Sequence, residues 1–365
     1  MSTQKILGAK TVAVVGGGIF GCTAALELAR AGFSVTLYEA GGDIMQAASG
    51  INQYRMHRGY HYPRSPETIL SCLDATPAFE AEYHDAIISD LTHYYAIAKI
   101  GSKVTGEEYL KILDRHGLHY VVRTPEHIAR DMVDVVVEVK EHLYNPQKLK
   151  KILKERLDKQ GVTVTFNTRV DVDDLDMFDF IVVATYAHLN ATYKNNTDAQ
   201  QDYQYEVCEK IVVVIPPALK GISTVIMDGP FMCFDPLGDT GYAVMGHVEH
   251  AIHHRSVGNS PEIPEAILPY LHNGIIENPA VTHFAKFIDE SVRYIPALKD
   301  VRHVGSMFAV RTVLPKVDMT DERPTIVRAH NDRVFSIYSG KIGNSVKAAH
   351  DVVQQITAIL GKSAT

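Results

Sequence analysis

Cysteine is scarce in this chain of 365 residues: Cys22, Cys72, Cys208 and Cys233 are the four, and no two of them form a CxxC pair. That excludes a disulfide framework and points to a reducing compartment, so a cytoplasmic location is expected. Basic runs are missing too, and the formal net charge is -7, which argues against nucleic acid or an anionic membrane as a partner. No window holds eighteen uninterrupted apolar residues, so no spanning helix is expected. The apolar run near the N-terminus is broken by glycines, unlike a signal peptide. Internal repeats and low-complexity segments are absent as well. What is present is ordinary globular material, 46% hydrophobic and 22% charged, long enough for two domains.

The informative stretch comes early. "TVAVV" (Thr11–Val15) is short, β-branched and apolar, and reads as a buried strand. Three glycines follow, then helical spacing from Ile19 to Ala31, then a second strand at Ser34–Tyr38. A GxGxxG in that strand–turn–helix–strand setting is a dinucleotide fingerprint. Gly16 permits the tight turn, Gly18 admits a pyrophosphate close to the backbone, and Gly21 lets helix and strand pack closely. Ile19 and Phe20 open the helix, whose N-terminal N–H groups and dipole favour phosphate. Glu39, followed by Ala40, ends the second strand roughly 20 residues on, where a carboxylate accepts ribose hydroxyls. NAD and FAD both remain possible at this point.

Further along, "GGDIMQAASGINQYRMHRGYHYPRSPETI" reads as a long functional loop, and Pro66 to about Ala98 as helical. Gly106–Asp114 reads as another helix. Asn145 is a plausible N-cap, with Pro146 at N1, for an amphipathic helix reaching Gly161. "VTVTFNTRV" and "DFIVVAT" (Asp179–Thr185) read as strands. The region from "YEVCEKIVVVIPPAL" to "GYAVMGHVEH" suggests an antiparallel sheet. The chain then closes on strand, glycine turn and helix. The expectation is an α/β protein: a Rossmann-like nucleotide domain from 1–85, 145–200 and 325–365, interleaved with an antiparallel-sheet substrate domain from 86–144 and 201–324. Such interleaving favours FAD over NAD, because a two-part dehydrogenase usually keeps its nucleotide fold in one block.

On these residues the chain resembles the FAD-dependent D-amino acid oxidase superfamily, which includes glycine and sarcosine oxidases, glycerol-3-phosphate dehydrogenase and L-2-hydroxyglutarate dehydrogenase. The extended flavoprotein pattern is met at Gly16, Gly18, Gly21, Ala25, Leu28, Gly32, Val35 and Glu39. "DFIVVAT", with Ala184 and Thr185, resembles the second dinucleotide-contacting strand; the family usually continues with Gly, where Tyr186 stands here. "SGINQYRMHRGYHYPRS" resembles the loop beside the flavin, and its "GYHYP" is similar to the 2-hydroxyglutarate branch. The resemblance implies noncovalent FAD. It places Ser49 and Gly50 near the phosphates, Asn52 at the isoalloxazine edge and the Val170 backbone against adenine. "SGKIGNS" resembles the C-terminal flavin loop, with Gly340, Lys341, Ile342, Gly343 and Asn344. Lys341 there would stabilise an anionic reduced flavin.

Arg311 resembles a family arginine that reaches into the substrate pocket, where a guanidinium grips a carboxylate through two bonds. The family commonly has Pro next; here it is Thr312. Arg55 and Tyr242 are further candidates for the substrate, and His57 and His61 for a general base. His253–His254 and His57/His61 invite a metal reading, but no Cys or carboxylate sits at ligand spacing, so no metal is expected. The leading reading is oxidation of the C–H bond beside an amine in a small carboxylated substrate. Oxidation of a 2-hydroxy acid is its closest rival, and a flavin-binding protein without turnover is another. Oxygen, a quinone or an electron-transfer protein would each serve as acceptor.

Overall fold

Thr11–Val15 forms the first strand, β1, of a computed structural model that describes residues 10–193, 199–316 and 320–363. Helix α1 (Ile19–Arg30) leads to β2 (Ser34–Tyr38), parallel to β1 with Val12 beside Val35. On the other side of β1 runs β10 (Phe180–Val183), parallel and fully buried, as its unbroken apolar run requires. The sheet is completed by β9 (Thr163–Thr165), β17 (Ile326–Ala329) and β18 (Val334–Tyr338), in the order β17-β18-β10-β1-β2-β9. Only the β17–β18 pair is antiparallel among these. Strands from the start, middle and end of the chain thus meet in one sheet.

The second sheet is built on a long strand, β11 (Tyr203–Val214). One edge of β11 pairs with β15 (Ile252–Gly258) and β14 (Tyr242–His247), the other with β16 (His303–Val313). Beyond β14 come β13 (Met232–Pro236), β12 (Ile222–Met227), β5 (Thr92–Ala98), β7 (Val133–Val139) and β6 (Tyr120–Val122). The sheet is antiparallel except where β12 runs parallel to β5. A small third sheet joins β3 (Arg55–Met56), β8 (His142–Tyr144) and β4 (Ile87–Ile88). Among the described residues no helix is long and apolar enough to cross a membrane.

The helix read from Pro66 to Ala98 is corrected. Helix α2 stops at Glu82, and Thr92–Ala98 is strand β5, buried between β12 and β7. "THYYAIA" is rich in aromatic and β-branched residues, which suit a strand covered on both faces. The strand read at "VTVTFNTRV" shrinks to β9, because Asn167 turns the chain with φ +53. Helices α3 (Gly106–Arg115) and α4 (Pro146–Lys159) fall where expected. Asn145 caps α4 by accepting from the Gln147 and Lys148 N–H groups. Two more α-helices among the described residues are α5 (Phe284–Ser291) and α6 (Ser345–Ser363).

Candidate active site

Where β1 ends, the backbone closes on itself. Gly16 has φ +106, and a Cβ there would lie 2.6 Å from the Ala184 carbonyl oxygen; one on Gly21 would lie 1.9 Å from the Gly16 oxygen. Larger residues would push β1, β10 and α1 apart. The N-terminus of α1 therefore opens into a cavity of about 670 Å³ that runs between the two large sheets. Gly18 lines it, and a Cβ there would come within 3.1 Å of Ser49 Oγ. That hydroxyl accepts from the Ile19 N–H at 3.0 Å, which leaves its own proton for an anion. Glu39 accepts from the Gly17 and Gly41 N–H groups, each at 2.6 Å. Each carboxylate oxygen keeps a further lone pair for hydroxyls.

Gly16, Ile19, Phe20, Glu39, Ala40 and Ser49 line this end with Val170, Ala184 and Thr185. Val170 does so from a loop after β9, not from a strand. Gly21, Gly50, Gly343 and Asn344 stand behind the wall. Asn52 lines the cavity, but its side chain is engaged with Ala48 O, Ser49 O, Tyr54 N–H and the Tyr144 hydroxyl. The bare glycine cradle, the helix terminus and the carboxylate suit the diphosphate and ribose of FAD.

At the other end, Gly340, Lys341 and Ile342 face His57 and His61 across the cavity wall. The Lys341 ammonium sits 4.3 Å from the Tyr62 ring centroid, and burial pulls its pKa down to about 7. Between about 7 and 10.5 the folded chain then binds fewer protons than the unfolded one, so stability rises with pH through that window. Lys341→Met should flatten this rise in thermal melts taken at several pH values; an unchanged slope would put the amine in water. The His57 and His61 rings lie 5.2 Å apart. Burial, with Lys341 and Arg55 nearby, holds both imidazoles well below their ordinary pKa; His61 also feels His57.

Behind the histidines lies a buried ionic network. Arg55 is fixed by Asp235 through Nη2–Oδ1 at 2.7 Å and Nε–Oδ2 at 3.2 Å, and it also donates to Ser223 and the Tyr95 hydroxyl. Tyr95 in turn donates to Glu141 at 2.6 Å. Burial alone would lower the Arg55 pKa, but Asp235, Tyr95 and Glu141 together raise it. Burial pushes the Glu141 carboxyl up, against the pull of Arg55. Glu141 Oε1 approaches His57 Nδ1 at 3.2 Å, although neither atom has an aligned hydrogen bond. Arg55 touches the cavity, yet its charge is already answered by protein carboxylates. Nothing in the local sequence of the loop signals this, since Glu141 comes from the link between β7 and β8 and Asp235 from β13.

Arg311 has the same fate. In the β11–β16 register it stands opposite Glu206, to which its Nε donates at 2.6 Å and its Nη2 also donates. The Nε–Nη2 edge of the guanidinium is thus bound, to a carboxylate that Arg255 shares. Tyr242, expected over the pocket, packs instead against the core beside Leu237 and Val244, outside the cavity wall. The two departures from the family pattern meet each other: the Tyr186 hydroxyl donates to Thr312 O at 3.2 Å and accepts from Thr312 N–H at 3.0 Å. Tyr186 adopts φ +51, the left-handed region that glycine usually fills. A proline at 312 would have no N–H to give.

Carboxylates also come to the histidines that the sequence leaves without one, which corrects that expectation. Glu209 on β11 meets His253 at 2.8 Å, and Glu290 on α5 meets His247 and His250 at 3.2 Å each. The rings are stacked, 12° apart for His253/His283 and 22° apart for His247/His250. In each group the nitrogen and carboxylate atoms lie within 4.8 Å of one another. His283 Nδ1 is engaged with the His250 carbonyl. His247 Nδ1 also accepts two backbone N–H groups, so its Nε2 carries the proton. We assign both groups to hydrogen bonding.

A parallel nucleotide-binding sheet, a second sheet and a long cavity between them define a dinucleotide-dependent oxidoreductase. Residues 11–341 match the DAO family, described as FAD dependent oxidoreductase, and the chain belongs to it. It is 27% identical to the FAD-dependent monooxygenase kojA of Aspergillus flavus, over 95% of this chain and 86% of that one. The fold is similar to glycine oxidase from Geobacillus kaustophilus, with a TM-score of 0.70 and 14% identity over 96% of this chain and 95% of that one. L-alpha-glycerophosphate oxidase from Mycoplasma pneumoniae, solved with FAD bound, matches with a TM-score of 0.67 and 16% identity, covering 96% and 95%. The cofactor is FAD. We expect it to be held without a covalent bond, so acid precipitation should release yellow FAD into the supernatant. Colour staying in the pellet would show a tether.

Proposed function

We propose that the protein oxidises the C–H bond next to an amine in a small carboxylated substrate, with division into nucleotide and substrate domains at the limits given above. The FAD, when bound, supplies the two-electron acceptor. What supports the reading is the placement of His57 and His61: the rings lie 5.2 Å apart in the cavity wall, beside Lys341 and Arg55, where burial and positive charge disfavour protonation. Imidazoles held well below their ordinary pKa are weak bases. A neutral amine can give up hydride without a base, whereas an alcohol must also lose its hydroxyl proton. The burial of these rings and the positive charge of Arg55 beside them also favour the free amine over its ammonium form. Lys341, close to neutral itself, would take on charge as negative charge develops beside it.

One observation favours the 2-hydroxy acid reading: the 3.2 Å approach of Glu141 to His57, which could hold that imidazole as a base. Anaerobic stopped-flow reduction of His57→Gln and His61→Gln across pH separates the two. Amine chemistry predicts that reduction survives in each variant at high pH. Hydroxy-acid chemistry predicts that one of them loses about 10²–10⁴-fold at every pH, the usual contribution of a positioned base. The curated relative's name adds oxygen insertion as a further outcome. Product analysis after reoxidation in air reads it as a hydroxylated product in place of an imine or keto acid.

A further inference from the structure

We propose that Lys210 is the residue that recognises the substrate's carboxylate, an inference that rests on the anionic-substrate reading above. Along β11 the side chains alternate. Cys208 and Lys210 line the cavity, while Glu209 points away and is held by His253, Thr282 and the His283 N–H. Five lysine and arginine residues line the cavity: Arg169 beside Val170 at the glycine end, and Arg55, Lys210, Arg311 and Lys341 further along. Arg55 is bound by Asp235, and Arg311 by Glu206. Lys341 lies over Tyr62, beside the histidines. Lys210 makes no hydrogen bond or ion pair among the described residues.

The groups nearest in charge to Lys210 do not neutralise it. Cys208 and Cys233 are buried thiols whose pKa burial raises, to about 11 for Cys233, so both stay protonated near neutral pH. Asp235 is engaged by Arg55 and Ser223. Arg311 adds positive charge of its own, and burial lowers the pKa of the Lys210 amine. A half-buried cation with no counter-ion gains most when a ligand brings one. An ammonium is also a point charge with three rotatable donors, so it accepts a carboxylate without the planar match an arginine demands.

The neighbouring register keeps the approach open. Cys233 pairs with Gly246, and a Cβ on Gly246 would come within 2.7 Å of Gln53 Nε2 and 2.8 Å of Cys233 Sγ. Gln53 donates to Cys233 at 3.1 Å, and its Oε1 has no hydrogen-bond partner. That oxygen is covered by its neighbours, so the amide must turn to present it to a substrate N–H. Lys210 and Gln53 both line the cavity and would then offer one donor and one acceptor, which suits a substrate carrying carboxylate and amine together.

Benzoate and benzamide, one charged and one not, test this by titration into FAD-loaded protein while the flavin absorbance is followed. Wild type should bind benzoate more tightly than benzamide. In Lys210→Met, benzoate affinity should fall at least about tenfold, the loss expected for a hydrogen bond to a charged group, with benzamide and FAD content unchanged. Lys210→Arg should keep most of the preference, and Arg311→Met should shift it less than Lys210→Met. Benzoate binding in Lys210→Met equal to wild type would overturn Lys210 while leaving the carboxylate reading intact. A wild type with no preference for benzoate would overturn both. Lys210→Gln is measured alongside. If both uncharged variants lose FAD and the arginine variant keeps it, the residue is structural and the proposal fails.

Discussion

Glu39→Arg should yield a protein that purifies without FAD. The substitution removes a carboxylate lining the cavity and two acceptors at 2.6 Å that hold the Gly17 and Gly41 N–H groups. It also brings a positive charge to a place where, on the dinucleotide-binding pattern, the adenine-side ribose would offer hydroxyls and no phosphate. Both losses act on the same turn, so affinity should fall by far more than the roughly tenfold expected for one charge-assisted hydrogen bond. Glu39→Gln should fall between, since its amide oxygen keeps one acceptor and loses the charge. The ratio of FAD to protein after gel filtration measures both. Full occupancy in Glu39→Arg would mean that Glu39 supports the turn and does not face the ribose.

The largest effect on stability should come from Arg55→Met. Its guanidinium answers Asp235 by two contacts and lies 3.8 Å from Glu141, and all three side chains are almost wholly buried. Removing it leaves two buried carboxyl groups with no cation, a change that typically costs about 3–5 kcal/mol. The sign with pH follows from the carboxyl groups. Burial already raises Asp235 above its ordinary 3.8, and without Arg55 it must rise further. A carboxyl whose folded pKa is raised costs stability increasingly as the pH climbs above its unfolded value. The deficit should therefore be small in acid and grow toward neutrality. Adding Asp235→Asn should recover part of it. Thermal and denaturant melts of the FAD-loaded variants read this, and a deficit below about 0.5 kcal/mol at neutral pH, the size of a surface substitution, would reject the network.

Much of the nucleotide half was legible because its signals are local. Gly16 takes φ +106 at the turn after β1, Gly21 meets the Gly16 carbonyl within the first turn of the helix, and Glu39 follows the end of the next strand; only the approach of Ala184 to Gly16 comes from far along the chain. Spacing alone carries such information. The Pro66–Ala98 reading failed for the opposite reason: "THYYAIA" can satisfy helix or strand locally, and only pairing with β12 and β7 selects the strand. At the substrate end Arg55 and Arg311 were visible as residue types in suggestive surroundings. Their carboxylate partners were not, because Asp235 lies 180 residues from Arg55 and Glu206 lies 105 residues from Arg311.

By itself, then, the sequence determined a flavin-binding α/β protein: the glycine turn, the helix terminus and the acid each follow from steric and electrostatic needs within a few tens of residues. It also marked His57, His61 and Lys341 as groups beside the flavin loops. The tertiary structure alone decided which charges are free. Pairing β11 with β16 sets Glu206 against Arg311, and folding β13 beneath the loop sets Asp235 against Arg55. Among the described residues, the Lys210 amine in the cavity wall meets no carboxylate at ion-pair distance. The period of a strand tells which residues share a face; which charge that face will meet depends on strands a hundred residues away.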